Sequence, residues 1–378
     1  MLTILHYSFK FNIKSVNLLE MRGVNLPNPN NQDAFMSQQK SHSAGIWREA
    51  HGAIPNTLAL AYGFLGHAAG LALLVSGNWL AFAMGILLVS HSLVICAYLI
   101  HEAAHSTLFR TRKANALVGE LLLWVVGAAY ASFKRVRHMH LRHHQDRADV
   151  FCFDYQAFLR RRSRWIQNLV AALEWAYVPA IEFIMQVQVA LRPFAHAHLK
   201  SERWRVILVG LSRLLFLAGL FLLSPWALLG YVIAYGILLQ VLWLADAFAH
   251  TYEAFLIQRD DDPVPQNGRD RAYDVKHTYS NLISRRWPVL NLLNLNFGYH
   301  TAHHERPSVP WHDLPEFHQE LYGEGPHEHE LPYRELLHTT HRNRLKRIFV
   351  DDYGEVASGE NRADSFIGAH GVSFLSVV

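Results

Sequence analysis

Hydrophobic residues along this chain are concentrated in four uninterrupted blocks rather than spread at helical or strand spacing. The blocks cover residues 57–76, 79–100, 206–223 and 226–245. A transmembrane α-helix needs roughly 20 predominantly apolar residues, so each block is a candidate span. The two-residue links Gly77-Asn78 and Ser224-Pro225 join the blocks in pairs. Because links this short force the flanking helices to run antiparallel, the pattern predicts two transmembrane hairpins.

Two further apolar segments contain acidic residues and are not predicted to cross the membrane. Residues 114–133 include Glu120, and they separate two histidine clusters that belong on one face of the membrane. We therefore expect a helix that lies in the interface or dips into it. Residues 165–191 include Glu174 and Glu182 among apolar neighbours, which favours an amphipathic helix near the membrane surface.

Basic residues set the expected orientation. Residues 101–205 carry sixteen Lys and Arg residues, whereas the two short links carry none. The positive-inside rule then places residues 101–205 and both termini in the cytoplasm, for which the bacterial inner membrane is the expected setting. Residues 1–45 are expected to be a disordered polar N-terminal tail, residues 46–318 the membrane domain, and residues 319–378 a polar cytosolic C-terminal tail.

Composition excludes several classes of protein. Only 17% of the 378 residues are charged, and the formal net charge of +4 is too small to indicate a nucleic-acid-binding protein. The two cysteines, Cys96 and Cys152, exclude a disulfide framework and a thiolate-rich metal site. The chain instead contains 25 histidines, and their positions carry the functional prediction.

The histidines form three clusters with helical spacing: H-x-x-x-H at 101–105, H-x-x-H-H at 140–144 and H-x-x-H-H at 300–304. Residues at i, i+3 and i+4 share one face of a helix, so each cluster directs two or three imidazoles the same way. Imidazole without thiolate suits iron, copper, zinc or nickel. Another run, HEHE at 327–330, lies in the polar C-terminal segment and is expected to be solvated.

A fourth element, Asp246 to His250, ends the last apolar block at the depth where His101 leaves the membrane. The candidate ligands now number nine: His101, His105, His140, His143, His144, His250, His300, His303 and His304. Four or five nitrogens saturate one ion, so nine indicate two metal ions. Asp246, His138 and His277 are candidates for a further ligand or for contact with one.

Carboxylates beside the clusters are candidate acceptors for the outer imidazole nitrogens. These are Glu102, Asp146, Asp149, Asp274, Glu305 and Asp313. Solvated or salt-bridged surface positions are the alternative for each of them.

The three clusters with paired membrane helices between them resemble the membrane-bound fatty-acid desaturase superfamily, which includes desaturases, hydroxylases, carotenoid-modifying oxygenases and 1-alkene-forming decarboxylases. NFGYH at 296–300 and PWHDLP at 310–315 are especially similar to its bacterial lipid-desaturase branch. The resemblance implies an all-α membrane protein with four transmembrane helices and a cytosolic helical cap. That cap would hold two non-haem iron ions and activate O2. Asp246 stands where acyl-CoA desaturases of this superfamily have Asn.

The resemblance also implies partners. The substrate would be a fatty acid or acyl lipid in contact with membrane lipid. The sequence has no His-Pro-Gly-Gly haem motif, so a separate ferredoxin or rubredoxin would deliver electrons. No nucleic-acid partner is expected.

Within this superfamily, fatty-acid desaturation is the leading hypothesis. Oxidative decarboxylation of a free fatty acid to a 1-alkene is the alternative, since Arg213, inside the third block, could hold a substrate carboxylate. Snorkelling of Arg213 towards the cytosolic end is the simpler interpretation. Hydroxylation or carotenoid ketolation is a third hypothesis. A metal transporter or sensor is more distant, because transport sites lie near the bilayer midplane and these clusters lie outside the blocks.

Overall fold

The computed structural model describes residues 45–151, 153–252, 254–256, 269–350, 354–358 and 361–368. The predicted N-terminal tail lies outside these residues, apart from Gly45. Helices dominate the described part of the chain, with one pair of three-residue strands. The elements are α1 (Ala53–Leu74, with a π-helical turn at Tyr62–Gly66), α2 (Trp79–His105), α3 (Arg112–Val126), α4 (Phe133–Asp146), β1 (Asp149–Phe151), α5 (Tyr155–Arg160), α6 (Arg164–Trp175), α7 (Ala180–Ala195), α8 (Arg203–Leu223), α9 (Pro225–Ala247), β2 (Ala254–Leu256), α10 (Arg271–His277), α11 (His300–Glu305), α12 (Leu314–Tyr322), α13 (Tyr333–Asn343) and α14 (Lys346–Phe349).

In the described part of the chain, four helices are long and apolar enough to cross a membrane, as predicted. They are Ala53–Leu74, Trp79–His105, Ala197–Leu223, which includes a 3-10 turn before α8, and Pro225–Ala247. Asn78 and Ser224 accept hydrogen bonds from the first turns of α2 and α9, so each short link also caps the helix that follows. The rings of Trp79 and Trp226 meet edge to face at 5.3 Å. The two links therefore lie side by side at one end of the paired hairpins.

Helix α2 is the centre of the core and packs against α1, α3 and α9. Two glycines let the backbones of α1 and α2 approach closely. A Cβ atom on Gly70 would lie 2.7 Å from the Val89 side chain, and one on Gly85 would lie 3.0 Å from the Gly70 carbonyl oxygen. Small residues at such a crossing are typical of membrane helix pairs. This tight pairing fixes the C-terminal end of α2, where the first histidine cluster lies.

The segment predicted to lie in or near the interface forms the fifteen-residue helix α3, and its acidic residue is paired. Glu120 forms an ion pair with Arg205 and accepts hydrogen bonds from the Trp124 indole (3.2 Å) and the Phe133 backbone (3.0 Å). Glu120 thus joins α3 to the start of α4 and to α8, which positions the second histidine cluster.

The prediction of one amphipathic helix over residues 165–191 is wrong. Helices α6 and α7 meet at a bend of 116°. Tyr177, just after the end of α6, has a left-handed φ of 61°, and Pro179 is the N-cap residue of α7. Glu174 accepts a hydrogen bond of 2.8 Å from the Ile181 backbone, so this buried carboxylate caps α7. Apolar periodicity persists through such a break, which is why the sequence pattern conceals it.

The remaining elements cover the C-terminal ends of α2 and α9. Strands β1 and β2 pair in parallel, with Asp149 opposite Ala254. Phe366 and Leu336, from the last described part of the chain, are buried against Trp243 and Phe248 at the end of α9. Leu336 and Phe366 are thereby packed onto the end of the hairpins that bears the histidines.

Candidate metal centre

All nine histidines singled out in the sequence lie together in two neighbouring groups. The five-histidine group is His101, His105, His140, His144 and His303. The four-histidine group is His143, His250, His300 and His304. Within each group, one nitrogen from every ring lies within 4.8 Å of the others. The described residues thus contain two sets of imidazoles, each large enough to surround one ion.

The two H-x-x-H-H clusters each contribute to both groups. On α4, His140 and His144 join the five-histidine group, while His143 joins the four-histidine group. On α11 the roles are exchanged, since His300 and His304 join the four-histidine group and His303 crosses to the other. The remaining members come from the ends of the spans, His101 and His105 from α2 and His250 just after α9.

The Nε2 atoms converge within both groups. In the five-histidine group, Nε2–Nε2 distances are 2.7 Å between His105 and His140, 3.3 Å between His140 and His144, and 3.2 Å between His144 and His303. In the four-histidine group, the Nε2 atom of His250 lies 3.1 Å from that of His143 and 2.8 Å from that of His300. With metal–nitrogen bonds near 2.0–2.1 Å, neighbouring ligand atoms are about 2.9–3.4 Å apart, which three of these five distances match while the other two are slightly shorter.

Burial favours the neutral form of most of the rings that lie outside the spans. It lowers the pKa values of His140, His144, His250, His300 and His303 well below 6.5, and nearby imidazoles add to the effect. It likewise lowers the pKa of His143 to about 3. A neutral imidazole keeps a lone pair on one nitrogen and is therefore a metal ligand at neutral pH.

The outer Nδ1 atoms of several of these histidines face protein acceptors. The Nδ1 atom of His304 lies 3.3 Å from an Asp274 carboxylate oxygen, that of His101 lies 3.4 Å from Glu102, and that of His143 lies 3.1 Å from the Ala148 carbonyl oxygen. An Nδ1–H bonded outward leaves the Nε2 lone pair directed inward. The buried Nε2 atom of His304 has no hydrogen-bond partner among the described residues. These observations fit a pair of transition-metal ions.

Three of the six carboxylates expected beside the clusters contact these imidazoles. Glu102 and Asp274 do so as described, and Asp149 lies 3.5 Å from the Nδ1 atom of His143. The other three form different pairs: Asp146 with Arg142, Glu305 with Arg271, and Asp313 with His51 and His312.

Asp274 is the most strongly held of these carboxylates. Burial works against its ionised form, but hydrogen bonds from His304 and Tyr252, with the charge of Arg147, lower its pKa to about 2. An ionised Asp274 strengthens the electron donation of His304 towards whatever its Nε2 atom binds.

The other predicted site residues lie outside the two groups. His138 is exposed on α4, and His277 has its Nδ1 atom 2.8 Å from the Thr251 hydroxyl oxygen. Asp246 is half-buried in the last turn of α9. Arg213 lies away from the groups, where its Nη2 atom donates to the Tyr231 hydroxyl oxygen at 2.8 Å and its guanidinium covers Gly127 at the C-terminus of α3.

Tyr252 and Thr278 were missed by sequence reasoning. The Tyr252 ring stacks on His250 at 4.2 Å, and its hydroxyl hydrogen-bonds to Asp274 and lies 3.4 Å from the Nδ1 atom of His304. The Thr278 hydroxyl lies 3.3 Å from the Nδ1 atom of His250. Tyr252 could have been suspected from its position two residues after His250, but nothing in the sequence marks Thr278.

Fold and site together define a class of protein: integral membrane proteins in which the ends of the spanning helices build a histidine-rich site compatible with metal binding. Within that class, the chain belongs to the fatty acid desaturase family, because the family model matches residues 77–337.

Two curated proteins are similar to parts of the chain. The sphingolipid delta(4)-desaturase of Candida albicans is 26% identical over 227 residues, which make up 57% of this chain and 55% of that protein. The beta-carotene ketolase of a Paracoccus species is 28% identical over 240 residues, covering 61% of this chain and 76% of the ketolase. The chain thus spans about half the length of the first relative and three quarters of the second.

Proposed function

We propose that this protein is an O2-dependent di-iron oxidoreductase that acts on fatty-acyl chains, and that it is a fatty-acid desaturase. The observation that carries the proposal is the convergence of nine imidazoles in two groups at one end of the membrane hairpins. Family membership and the two relatives, a sphingolipid desaturase and a carotenoid ketolase, support oxidation of a long apolar substrate.

In this proposal all nine histidines are ligands, and the surrounding residues orient them. Bound iron would supply the O2-derived oxidising power that an unactivated C–H bond requires and no side chain provides. Asp274, Glu102 and Tyr252 fix the tautomers and orientations of the rings they contact. Asp246, half-buried one turn before His250, is a member of neither histidine group and is not assigned as a ligand.

The acyl chain is proposed to approach the site from the membrane side along Phe297. The Phe297 ring lies 4.9 Å from the Tyr98 ring, 5.3 Å from the His101 ring and 4.8 Å from the His300 ring. It therefore joins the apolar interior of α2 to members of both histidine groups. The opposite, cytoplasmic face of a bacterial inner membrane would admit a ferredoxin or rubredoxin as electron donor.

Analysis of the products made by cells expressing the protein tests this function. With free fatty acids of medium to long chain length supplied, we expect gas chromatography–mass spectrometry of the extracted lipid to show an internal double bond. The His303→Ala variant expressed at equal level serves as the control and should lack the product. A volatile alkene one carbon shorter than its acid would instead identify a decarboxylase, and an oxygenated chain would identify a hydroxylase or ketolase.

The surroundings of Arg213 favour oxidative decarboxylation as a second candidate function. Its guanidinium lies within a membrane span among Tyr231, Tyr235 and Phe216, at ring distances of 5.5–5.9 Å, and forms no ion pair with a described carboxylate. A cation in such surroundings suits the carboxylate of a free fatty acid.

If Arg213 anchors a substrate carboxylate, replacing it changes the KM for free acids. A charged hydrogen bond contributes about 1.5–3 kcal/mol, so Arg213→Leu is expected to raise the KM about 10- to 100-fold, with partial recovery in Arg213→Lys. Tyr231→Phe is the matched control, since it removes the hydroxyl that accepts a hydrogen bond from the guanidinium but keeps the ring and the charge of Arg213. An unchanged KM in a stable Leu variant would assign Arg213 to packing at the end of α3.

A further inference from the structure

A short apolar segment between α10 and α11 is largely exposed. It follows Arg286 and contains a 3-10 helix, Pro288–Asn294. We call residues 286–294 the 3-10 segment. Its exposed apolar side chains are those of Trp287, Pro288, Val289, Leu290, Leu292 and Leu293. A contiguous apolar surface of this kind marks contact with a membrane or with another molecule.

A histidine of α2 fixes the depth of the 3-10 segment. The Nε2 atom of His91 lies 3.2 Å from the Leu293 carbonyl oxygen, and its Nδ1 atom lies 2.6 Å from the Tyr62 hydroxyl oxygen. One tautomer satisfies both contacts, because Tyr62 donates to Nδ1 and the Nε2–H group donates to Leu293. At about 1.5 Å per residue, His91 lies roughly 15 Å along α2 from His101. The segment therefore reaches the level of the middle of the span.

The side of the first hairpin that carries this contact faces outward. Leu58 is four residues before Tyr62 on α1, and Leu87 is four residues before His91 on α2, so each shares a helix face with its partner. These two leucines are 64% and 60% exposed. Exposed apolar side chains at the middle of a span face lipid, and the 3-10 segment lies against this lipid-facing side.

Hydrogen bonds from within the protein satisfy backbone groups around the segment, as a non-helical stretch at membrane depth requires. The buried Asn291 side chain accepts from the backbone N–H groups of Ile283 (2.8 Å) and Ser284 (3.2 Å) and donates to the Ser284 carbonyl oxygen (2.8 Å). The Asn291 carbonyl oxygen accepts from the Asn296 backbone at 2.8 Å. Leu295 and Asn296 have left-handed φ angles of 48° and 59°, which turn the chain back towards α11.

The first two residues of the segment suit the boundary between lipid and water. The Arg286 guanidinium lies 5.5 Å from the Trp287 ring, and both residues are exposed. Arginine reaches from apolar surroundings to polar head groups, and tryptophan is enriched at membrane interfaces. The rest of the segment is apolar apart from Asn291 and Asn294, which are buried. Polarity therefore falls along the chain in the direction in which the segment approaches His91.

We propose that the 3-10 segment is a re-entrant element embedded in the lipid leaflet on the histidine side, with its exposed side chains against lipid acyl chains and Arg286 at the level of the phosphates. It enters and leaves on the histidine side, because α10 and α11 both lie there. A second copy of this chain is the alternative occupant of the apolar surface. Lipid is favoured because the surface continues the outward faces of α1 and α2.

The segment also leads to the proposed path of the acyl chain. Three residues separate Asn294 from Phe297, whose ring contacts those of His101 and His300. In the proposed function, lipid at the segment would be the source from which a substrate chain reaches Phe297. The embedding itself requires only that the hairpins span a membrane, so its test is independent of that function.

Nitroxide labelling of the full-length protein in phosphatidylcholine vesicles tests the embedding. A Cys152→Ser background leaves Cys96, which is fully buried, as the remaining cysteine. Val289→Cys and Leu293→Cys carry the label in turn. Power saturation then compares collisions with O2, which is enriched in lipid, and collisions with a water-soluble nickel chelate. We expect O2 to dominate at both positions and more strongly at Leu293, which lies deeper.

Leu65→Cys and Leu321→Cys are the matched controls, because both leucines are exposed, the first within a span and the second beside the exposed Glu320 on α12. The label at Leu65 should resemble the label at Leu293, whereas the label at Leu321 should collide mainly with the nickel chelate. Dominant nickel collisions at both Val289 and Leu293 would overturn the proposal.

Photolabelling of the unmodified protein gives a second measurement. A phosphatidylcholine with a diazirine on its acyl chain should label the tryptic peptide that begins at Trp287, with the adducts among residues 287–293. Labelled spans without adducts in this peptide would contradict the proposal. Disulfide-linked dimers of Leu290→Cys in the same vesicles, together with loss of the adducts, would identify a second copy as the occupant and so reject lipid.

Discussion

Replacing His143 or His303 by alanine is expected to lower turnover by more than about 100-fold, because mutations of residues that only orient metal ligands already cost 10- to 100-fold. His143 belongs to the four-histidine group and His303 to the five-histidine group, so each variant removes one proposed ligand from a different ion. Oxidation of a supplied fatty acid, normalised to protein content in the membrane, measures the effect.

His138→Ala is the matched control for His143→Ala, since both histidines are on α4 but His138 is exposed and outside both groups. It should keep turnover within a factor of a few. Size-exclusion profiles of all three variants should match wild type, because the spans pack through α2 and not through the site. Substantial activity in both ligand variants would remove the di-iron assignment.

Asp274→Asn is expected to lower turnover 10- to 100-fold while the nine histidines remain in place. The substitution keeps the size of the side chain but removes the charge that faces the Nδ1 atom of His304 and the Tyr252 hydroxyl. The amide has an NH2 group that can donate, which would disfavour the Nδ1–H tautomer of His304. Iron content, measured with kcat, separates weaker metal binding from slower chemistry.

Glu305→Gln is the control for Asp274→Asn, because Glu305 is also beside the third histidine cluster but pairs with the exposed Arg271. An exposed ion pair contributes little, so this variant should behave like wild type. An equal loss of turnover in the two variants would mean that activity depends on the negative charge near the third histidine cluster and not on the specific contact between Asp274 and His304.

Local features of the chain were predictable from sequence. Apolar length fixes the spans, and the links at Gly77 and Ser224 fix the hairpins, because a span needs no distant residue to satisfy its backbone. Histidine spacing identified the candidates because i, i+4 residues such as His140 and His144 share a helix face wherever the helix packs.

Non-local features were not predictable. Which group each histidine belongs to depends on how α4, α11 and α9 pack against one another. The spacing of residues along the chain does not predict that packing. The contact between Asp274 and His304 joins residues thirty positions apart, and six carboxylates beside the clusters were equivalent in the sequence. The bend between α6 and α7 depends on the left-handed backbone conformation of Tyr177, which a tyrosine at this position does not predict.

The crossing of His143 and His303 between the two groups has a consequence for how the centre forms. Each of the two helices contributes histidines to both groups, so a rotation of α4 or α11 that changes the geometry of one group also changes that of the other. In the proposed di-iron centre the two ions would therefore be coupled through α4 and α11. Binding of the first ion would fix the orientation of both helices, so the second ion would bind at a site that is already assembled.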